Sequence, residues 1–232
     1  YTYNGKAKKP AATVTLDGDC DCHRTPAYAH IDKDYQWNHN YIAADITTET
    51  GSLTRPGRSV TLRTSTLASS IFDARNTMTW RTWGPTCTDT VTIDATKMKD
   101  GDCAGLAALN GDSGLLTIRR EGRKTYLVMS EESVRLTDDT KAITGVERKE
   151  VARVEVPASK CKSIRLVMNG DFNPGRDIAT FYYSLDGQRW QQLGGDYKMI
   201  FDFRRLFMGS RYAAFYYSTK TAGGQVRVAI RN

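Results

Sequence analysis

The chain has 232 residues, 40% hydrophobic and 25% charged, the balance of a globular protein long enough to bury a sizeable core in one large domain. No apolar run approaches the roughly 18 residues of a membrane-spanning helix, so no membrane partner is expected. Its 33 Lys and Arg exceed 26 Asp and Glu to give +7, but the excess is spread along the chain rather than clustered, so nucleic acid is not expected as a partner either.

The opening run YTYNGKAKKP is polar and ends at Pro10. It reads as a linker or the tail of a preceding domain over residues 1–12, followed by one module from 13 to 232. The chain starts at a tyrosine, and the expectation is that an N-terminal segment has been removed. Next come Asp17, Asp19 and Asp21 and the run Cys20-Asp21-Cys22-His23. The three aspartates begin like a calcium loop, but Cys22 stands where glycine is needed and Tyr28 where a bidentate glutamate is needed. The Cys-x-Cys has no second ligand cluster, since Cys87, Cys103 and Cys161 are isolated, so zinc is not expected. A structural calcium is the one cofactor left open. With five cysteines, at least one is unpaired.

The stretch DYQWNHN then sets Trp37 beside Asn38, His39 and Asn40. An indole offers a flat apolar face to the axial C–H groups of a pyranose, and amides and imidazole match its hydroxyls as donors and acceptors. Alternatively, the polar residues satisfy backbone groups in a turn. Residue chemistry alone leaves both readings open.

Strand signals dominate the rest. SVTLRT, TVTID, VARVEV and QVRVAIR alternate apolar and polar residues with period two. RNTMTWRTW does the same, with Arg75, Thr77, Thr79, Arg81 and Trp83 on one face and Asn76, Met78, Trp80 and Thr82 on the other. TIRREGRK reads as a hairpin turn, and FYYSLDGQRWQQLG as a second hairpin closed tightly at Asp186-Gly187. SIRLVM and YAAFYY are strand-sized apolar runs. Roughly a dozen short strands and no convincing amphipathic helix predict one antiparallel all-β sandwich.

No nucleophile elbow or phosphate-binding glycine loop occurs, and His23, His30 and His39 have no recognisable partners. An independent active site is therefore not expected.

QWNHN, then RPGRSVTLRTS, ARNTMTWRTWGP and MKDGDCAGLAAL, together resemble the C-terminal β-sandwich of glycoside hydrolase family 43 β-xylosidases and arabinofuranosidases. FYYSLDGQRWQQLG and FMGSRYAAFYYSTKTAGG are similar to its closing strands, so the likeness runs in order from Asp32 to Asn232. It implies a concanavalin-like jelly roll of two antiparallel sheets with one concave face. It also implies that catalysis belongs to a preceding five-bladed propeller, against which the sandwich packs. Related modules bind xylan on their own. The sequence departs from the family pattern where Tyr35 replaces a tryptophan, Tyr41 a proline and Trp80 a glutamine, and where the tryptophan expected ahead of Ser52-Leu53-Thr54 is missing. Trp80 would either add a stacking surface or fill the core.

Carried over by this resemblance, Trp37, Asn38, His39 and Asn40 form one wall of a glycan site. Arg75, Asn76 and Arg81 supply polar contacts, and Trp83 a second ring. Arginine suits vicinal hydroxyls through its planar donor fork. Asn76, on the opposite strand face, contributes only near a bulge or strand end. The expected function is a non-catalytic carbohydrate-binding or accessory module for xylan or arabinose-decorated xylo-oligosaccharides, secreted or periplasmic. The alternative is a structural domain that docks on the propeller without glycan affinity. A third reading, a hydrolase in its own right, requires a carboxylate pair across a cleft.

Overall fold

Alternation of side chains along an extended backbone gives each strand two faces, and burying one face requires a second layer. The computed structural model describes residues 35–36, 46–48, 59–137, 143–200 and 209–231. In chain order its strands are β1 (Tyr35–Gln36), β2 (Ile46–Thr48), β3 (Ser59–Arg63), β4 (Asn76–Arg81), β5 (Thr86–Asp94), β6 (Asp102–Leu109), β7 (Asp112–Glu121), β8 (Lys124–Leu136), β9 (Ile143–Val156), β10 (Ile164–Asp171), β11 (Ile178–Ser184), β12 (Gln191–Gln192), β13 (Tyr197–Lys198), β14 (Arg211–Ser218) and β15 (Gln225–Arg231). Among the described residues there is no α-helix.

The strands form two sheets. One runs β1-β4-β14-β6-β7-β8-β9, and the other β12-β11-β10-β5-β15-β3-β2 with β13 also paired to β11. Every strand pairing is antiparallel. Their facing surfaces share one core, including Met78, Trp80, Leu106, Ile118 and Tyr212 from the first sheet and Leu62, Ile93, Leu166 and Phe181 from the second. Burying each such aliphatic or aromatic side chain contributes about 1.5–3 kcal/mol relative to exposure.

A second, smaller core lies on the other face of the seven-stranded sheet. There Ala68, Ile71 and Ala74, from the connection between β3 and β4, cover Ala107, Leu115, Ala213 and Phe215. Strands β6 and β14 are consequently buried at every position. Their sequences, DCAGLAAL and RYAAFYYS, are correspondingly rich in small and apolar residues on both faces. An ion pair between the buried Glu132 carboxylate and the partly exposed Arg148 clamps the covering segment. Glu132 accepts from Ile71 N at 3.0 Å and from Arg148 Nε at 2.9 Å, and Arg148 Nη2 also donates to Ser69 O and to the Tyr217 hydroxyl, each at 3.0 Å.

The TIRREGRK turn forms as expected, with Gly122 at φ +58° between β7 and β8. The second hairpin differs from the expected tight Asp186-Gly187 turn, because residues 185–190 separate β11 from β12. The reason is local. Asp186 Oδ1 accepts from Gln188 N and Arg189 N, both at 2.8 Å, and from Ser184 Oγ at 3.1 Å, which winds the loop around the carboxylate.

Candidate functional site

The described candidates lie on strand β4 or within two residues of its ends, and the two ends differ. At its start, Asn76 is 2% exposed and turned inward, and Nδ2 donates to Arg63 O at 2.5 Å. Among the described residues its Oδ1 has no hydrogen-bond partner, and Asn76 lines a cavity of about 10 Å³ with Arg75, Thr64 and Tyr216. That is room for one water molecule at most. Close by, the Tyr216 hydroxyl donates to Asp102 Oδ2 at 2.6 Å, and Lys99 N donates to the same oxygen at 2.6 Å. Burial pushes the Asp102 carboxyl upward, opposed by these hydrogen bonds.

At the other end, Arg81 is exposed and lies directly opposite Arg211 on β14. Two residues on, Trp83 is 65% exposed. Its neighbours Thr82 and Gly84 line an open cavity of about 390 Å³ together with Phe172, Asp177, Met199 and Ser210. The rim is held by Thr82 Oγ1 donating to Ser210 O at 2.6 Å, Phe172 N to Pro85 O at 2.7 Å and Met199 N to Asp177 O at 2.7 Å. Asp177 has φ +46°, a left-handed conformation uncommon outside glycine, and its carboxylate pairs with Lys198 Nζ at 3.7 Å. The cavity thus combines hydrogen-bonding groups and apolar walls, and the exposed Trp83 lies between two of its lining residues in the chain.

Trp80 fills the core. It is 6% exposed, stacks on Tyr212 with ring centroids 5.6 Å apart, and donates from Nε1 to Asp89 Oδ2 at 2.5 Å. Burial raises the Asp89 carboxyl pKa, while hydrogen bonds from Thr90 N and Trp80 oppose the rise. Asp89 therefore supplies the polar partner that a buried indole N–H requires.

The candidates therefore fall into two groups. Arg81 and Trp83 lie at one end of β4, and Arg75 and Asn76 at the other, with Asn76 and Arg81 roughly 17 Å apart at strand rise. One sugar ring cannot touch both. Trp37, Asn38, His39 and Asn40 lie outside the described residues, as do Cys20, Cys22 and His23. β1 pairs Tyr35 with Thr79 and Gln36 with Met78, so it runs toward the Asn76 end of β4. Sequence reasoning missed Phe172, Asp177, Met199 and Ser210. Of their surroundings the NPG break at Asn173–Gly175 was marked as a turn, and Ser210 fell within the closing-strand motif FMGSRYAAFYYSTKTAGG without being singled out.

A further cavity of about 550 Å³ is lined by Glu131, Glu132 and Glu147. Each is ion-paired, with Lys149, Arg148 and Arg135 respectively. Among the described residues no three His, Cys, Asp or Glu side chains cluster to hold a metal ion. Cys87, Cys103 and Cys161 are free thiols.

Two antiparallel sheets packed face to face around one core define the concanavalin-like jelly-roll class. Residues 27–229 match the family described as the beta xylosidase C-terminal concanavalin A-like domain, and the chain belongs to that family. Among solved structures it is similar to a GH43 glycoside hydrolase engineered to display both endo-xylanase and exo-arabinofuranosidase activity. That match has 29% identity and a TM-score of 0.73, over 84% of this chain and 37% of the other. It is also similar to a bifunctional GH43-CE protein of Bacteroides eggerthii, with 32% identity and a TM-score of 0.68, over 84% of this chain and 23% of the other. The GH43 BlXynB protein of Bacillus licheniformis, at 16% identity and a TM-score of 0.60, shares the fold. This chain thus spans less than two-fifths of each of these proteins. No curated protein matches it in sequence.

Proposed function

We propose that residues 13–232 form a non-catalytic accessory module of a secreted or periplasmic glycoside hydrolase, with residues 1–12 as the tail or linker of a preceding catalytic domain. The module binds xylan or arabinose-decorated xylo-oligosaccharides. Support for the substrate class comes from the related GH43 enzyme with endo-xylanase and exo-arabinofuranosidase activity. The observation that carries the binding reading is Trp83, a large ring 65% exposed beside an open cavity whose lining includes Thr82, Asp177 and Ser210. Stacking on the ring supplies affinity, and the polar lining supplies orientation. The quartet Trp37, Asn38, His39 and Asn40 forms a further wall, and Arg75 and Arg81, at opposite ends of β4, are polar partners of different sugars of the chain.

Calorimetric titration with xylohexaose, cellohexaose and arabinoxylan tests this reading. Binding in the micromolar to millimolar range, about −8 to −4 kcal/mol, is expected for xylo-ligands. Trp37→Ala and Trp83→Ala should each weaken it in a folded protein.

A second reading, docking on the catalytic domain, draws on two exposed large apolar side chains, Trp83 at 65% and Ile200 at 52%. Exposed apolar side chains of this size suit a protein contact. No heat with any glycan, together with capture of a separately produced catalytic domain, would select docking.

A further inference from the structure

The two outward sheet faces are built from different chemistry. On the seven-stranded sheet, beyond its small second core, the face presents a lattice of ion pairs. Arg119 pairs with Glu150 at 3.3 Å, Arg153 with Glu121 at 3.0 Å and Lys124 with Glu155 at 3.0 Å, and Arg153 also lies 4.6 Å from the Tyr126 ring centroid. These charges are matched among themselves.

The eight-stranded sheet presents a different surface at its β12-β11-β10-β5 side. Tyr183 and Met168 point into the core, so Tyr182, Val167 and Asn169 point outward. Register aligns Gln192, Tyr182, Val167 and Thr90 in one row across four strands. A parallel row holds Thr180, Asn169 and Thr88. Thr88 Oγ1 donates to Asn169 Oδ1 at 2.8 Å, which leaves the Asn169 amide nitrogen as a donor. Trp190 leads into β12 and is 43% exposed. Two residues before Gln192, it falls on the same side of the extended chain by alternation. Charged residues flank the two rows: Arg231 on β15 follows Thr90 in register, Asp171 on β10 pairs with Arg176 at 3.0 Å, and Arg165 donates from Nη1 to Gly187 O in the hairpin loop at 3.0 Å.

We propose that this face is a second glycan-binding surface, separate from the Trp83 end, which takes an uncharged β-linked polysaccharide chain laid across the strands. The proposal rests on the reading that the module binds glycan. Complementarity decides the occupant. Across β12, β11, β10 and β5 the rows offer amides, hydroxyls and aromatic faces and no charged side chain, which suits a neutral polyhydroxylated chain better than a charged protein surface. Strands lie about 4.8 Å apart, so the four-strand row spans roughly 14 Å, enough for several consecutive sugars. Trp190 and Tyr182 give stacking surfaces at one end, and Asn169, Thr88 and Thr90 give hydrogen bonds at the other. Two surfaces on one module would let it hold polymer more tightly than short oligosaccharide.

Depletion binding of the full 232-residue chain to insoluble unsubstituted xylan, alongside titration with xylohexaose, tests the proposal. Trp190→Ala is expected to weaken binding to insoluble xylan roughly five- to tenfold, the scale of one aromatic stacking contact. Asn169→Ala, a smaller surface change, guards against a folding failure of the tryptophan variant and should weaken binding roughly two- to fivefold. Trp83→Ala should leave residual polymer binding that Trp83→Ala/Trp190→Ala abolishes. Polymer binding unchanged in Trp190→Ala, Tyr182→Ala and Asn169→Ala, yet lost in Trp83→Ala, overturns this second surface while the glycan reading stands. If the parent chain binds no glycan, both fall.

Discussion

The two ends of strand β4 show the same sandwich used in opposite ways. At the Asn76 end, polar groups are buried and most are hydrogen-bonded, Asn76 Oδ1 and Asp102 Oδ1 excepted among the described residues. Asp102 takes hydrogen bonds from Tyr216 and Lys99, and Gly223 and Gly224 close on Thr64 through the bonds Gly223 N to Thr64 O and Gly224 N to Thr64 Oγ1. The approaching connection is clamped by the Glu132–Arg148 pair. At the Trp83 end, an indole stands in solvent beside an open cavity. A buried polar network is costly unless satisfied, so it constrains the fold, whereas exposed groups remain able to meet a ligand. Substitutions at the first end should therefore act on stability, and those at the second on binding.

The largest effect is expected at the clamp. Arg148→Met leaves the Glu132 carboxylate buried without its cation, which costs about 3–5 kcal/mol. Adding Glu132→Gln should recover part of that loss, since removing both charges is gentler than removing one. Denaturant unfolding of the two variants checks this. Equal stability of Arg148→Met and the parent would place the pair at the solvent-screened end of the scale, and the claim of a closed end would weaken.

Next is Gly224→Ala. A Cβ there would overlap Asp102 Oδ2 and Tyr216 Oη, which are both fixed in the network, and the backbone would have to move. Overpacking of this kind costs about 1–3 kcal/mol. Tyr216→Phe, which removes one donor to a buried carboxylate, should cost about 1.5–3 kcal/mol. Against these, Trp83→Ala should change stability by about 0.5 kcal/mol or less, being a surface substitution, while weakening xylohexaose binding. A Trp83→Ala variant that melts far below the parent would show the ring to be structural, and the contrast between the ends would disappear.

Much of this architecture was legible in the sequence. Period-two alternation marked β3, β5 and β15 because each buries one face. What it could not tell was which face of β4 meets the main core. Thr77 and Thr79 are fully buried as well, beneath the seven-stranded sheet's outer cover, so both faces of the strand lie inside the protein. Trp80 was therefore ambiguous between stacking surface and core until Asp89, nine residues away on another strand, was seen to accept its N–H. The two ends of the strand were also legible as residues but not as places. Arg75 and Trp83 share a face by alternation, yet the length of β4 keeps them apart, and the cavity beside Trp83 is assembled from residues near 82, 172, 177, 199 and 210. No local pattern encodes such long-range convergence. The Asp186-Gly187 signal located the hairpin correctly but not its loop length, because side-chain capping by Asp186 overrode the two-residue turn.

The smallest expected effect concerns pH, and it sets a buried carboxylate against an exposed one. Asp186 is held to about 2, first by hydrogen bonds from Arg189 N and Gln188 N, against an ordinary 3.8. A lowered folded value means that the unfolded chain binds more protons between about 2 and 3.8, so this group's contribution is present above 3.8 and lost as the pH falls through 2. Asp102, raised by burial, has the opposite sign. Above 3.8 the unfolded carboxyl ionises first, and the group's contribution declines as the pH rises toward its folded value. Melting curves from pH 2 to pH 7 for the parent, Asp186→Asn and Asp102→Asn separate the two. The parent's advantage over Asp186→Asn should grow from pH 2 to about 3.8 and then level off. Its advantage over Asp102→Asn should shrink as the pH climbs above 3.8. If both differences move in the same direction, the Asp102 carboxylate is solvated, and the Asn76 end is no more closed than the end that carries Trp83.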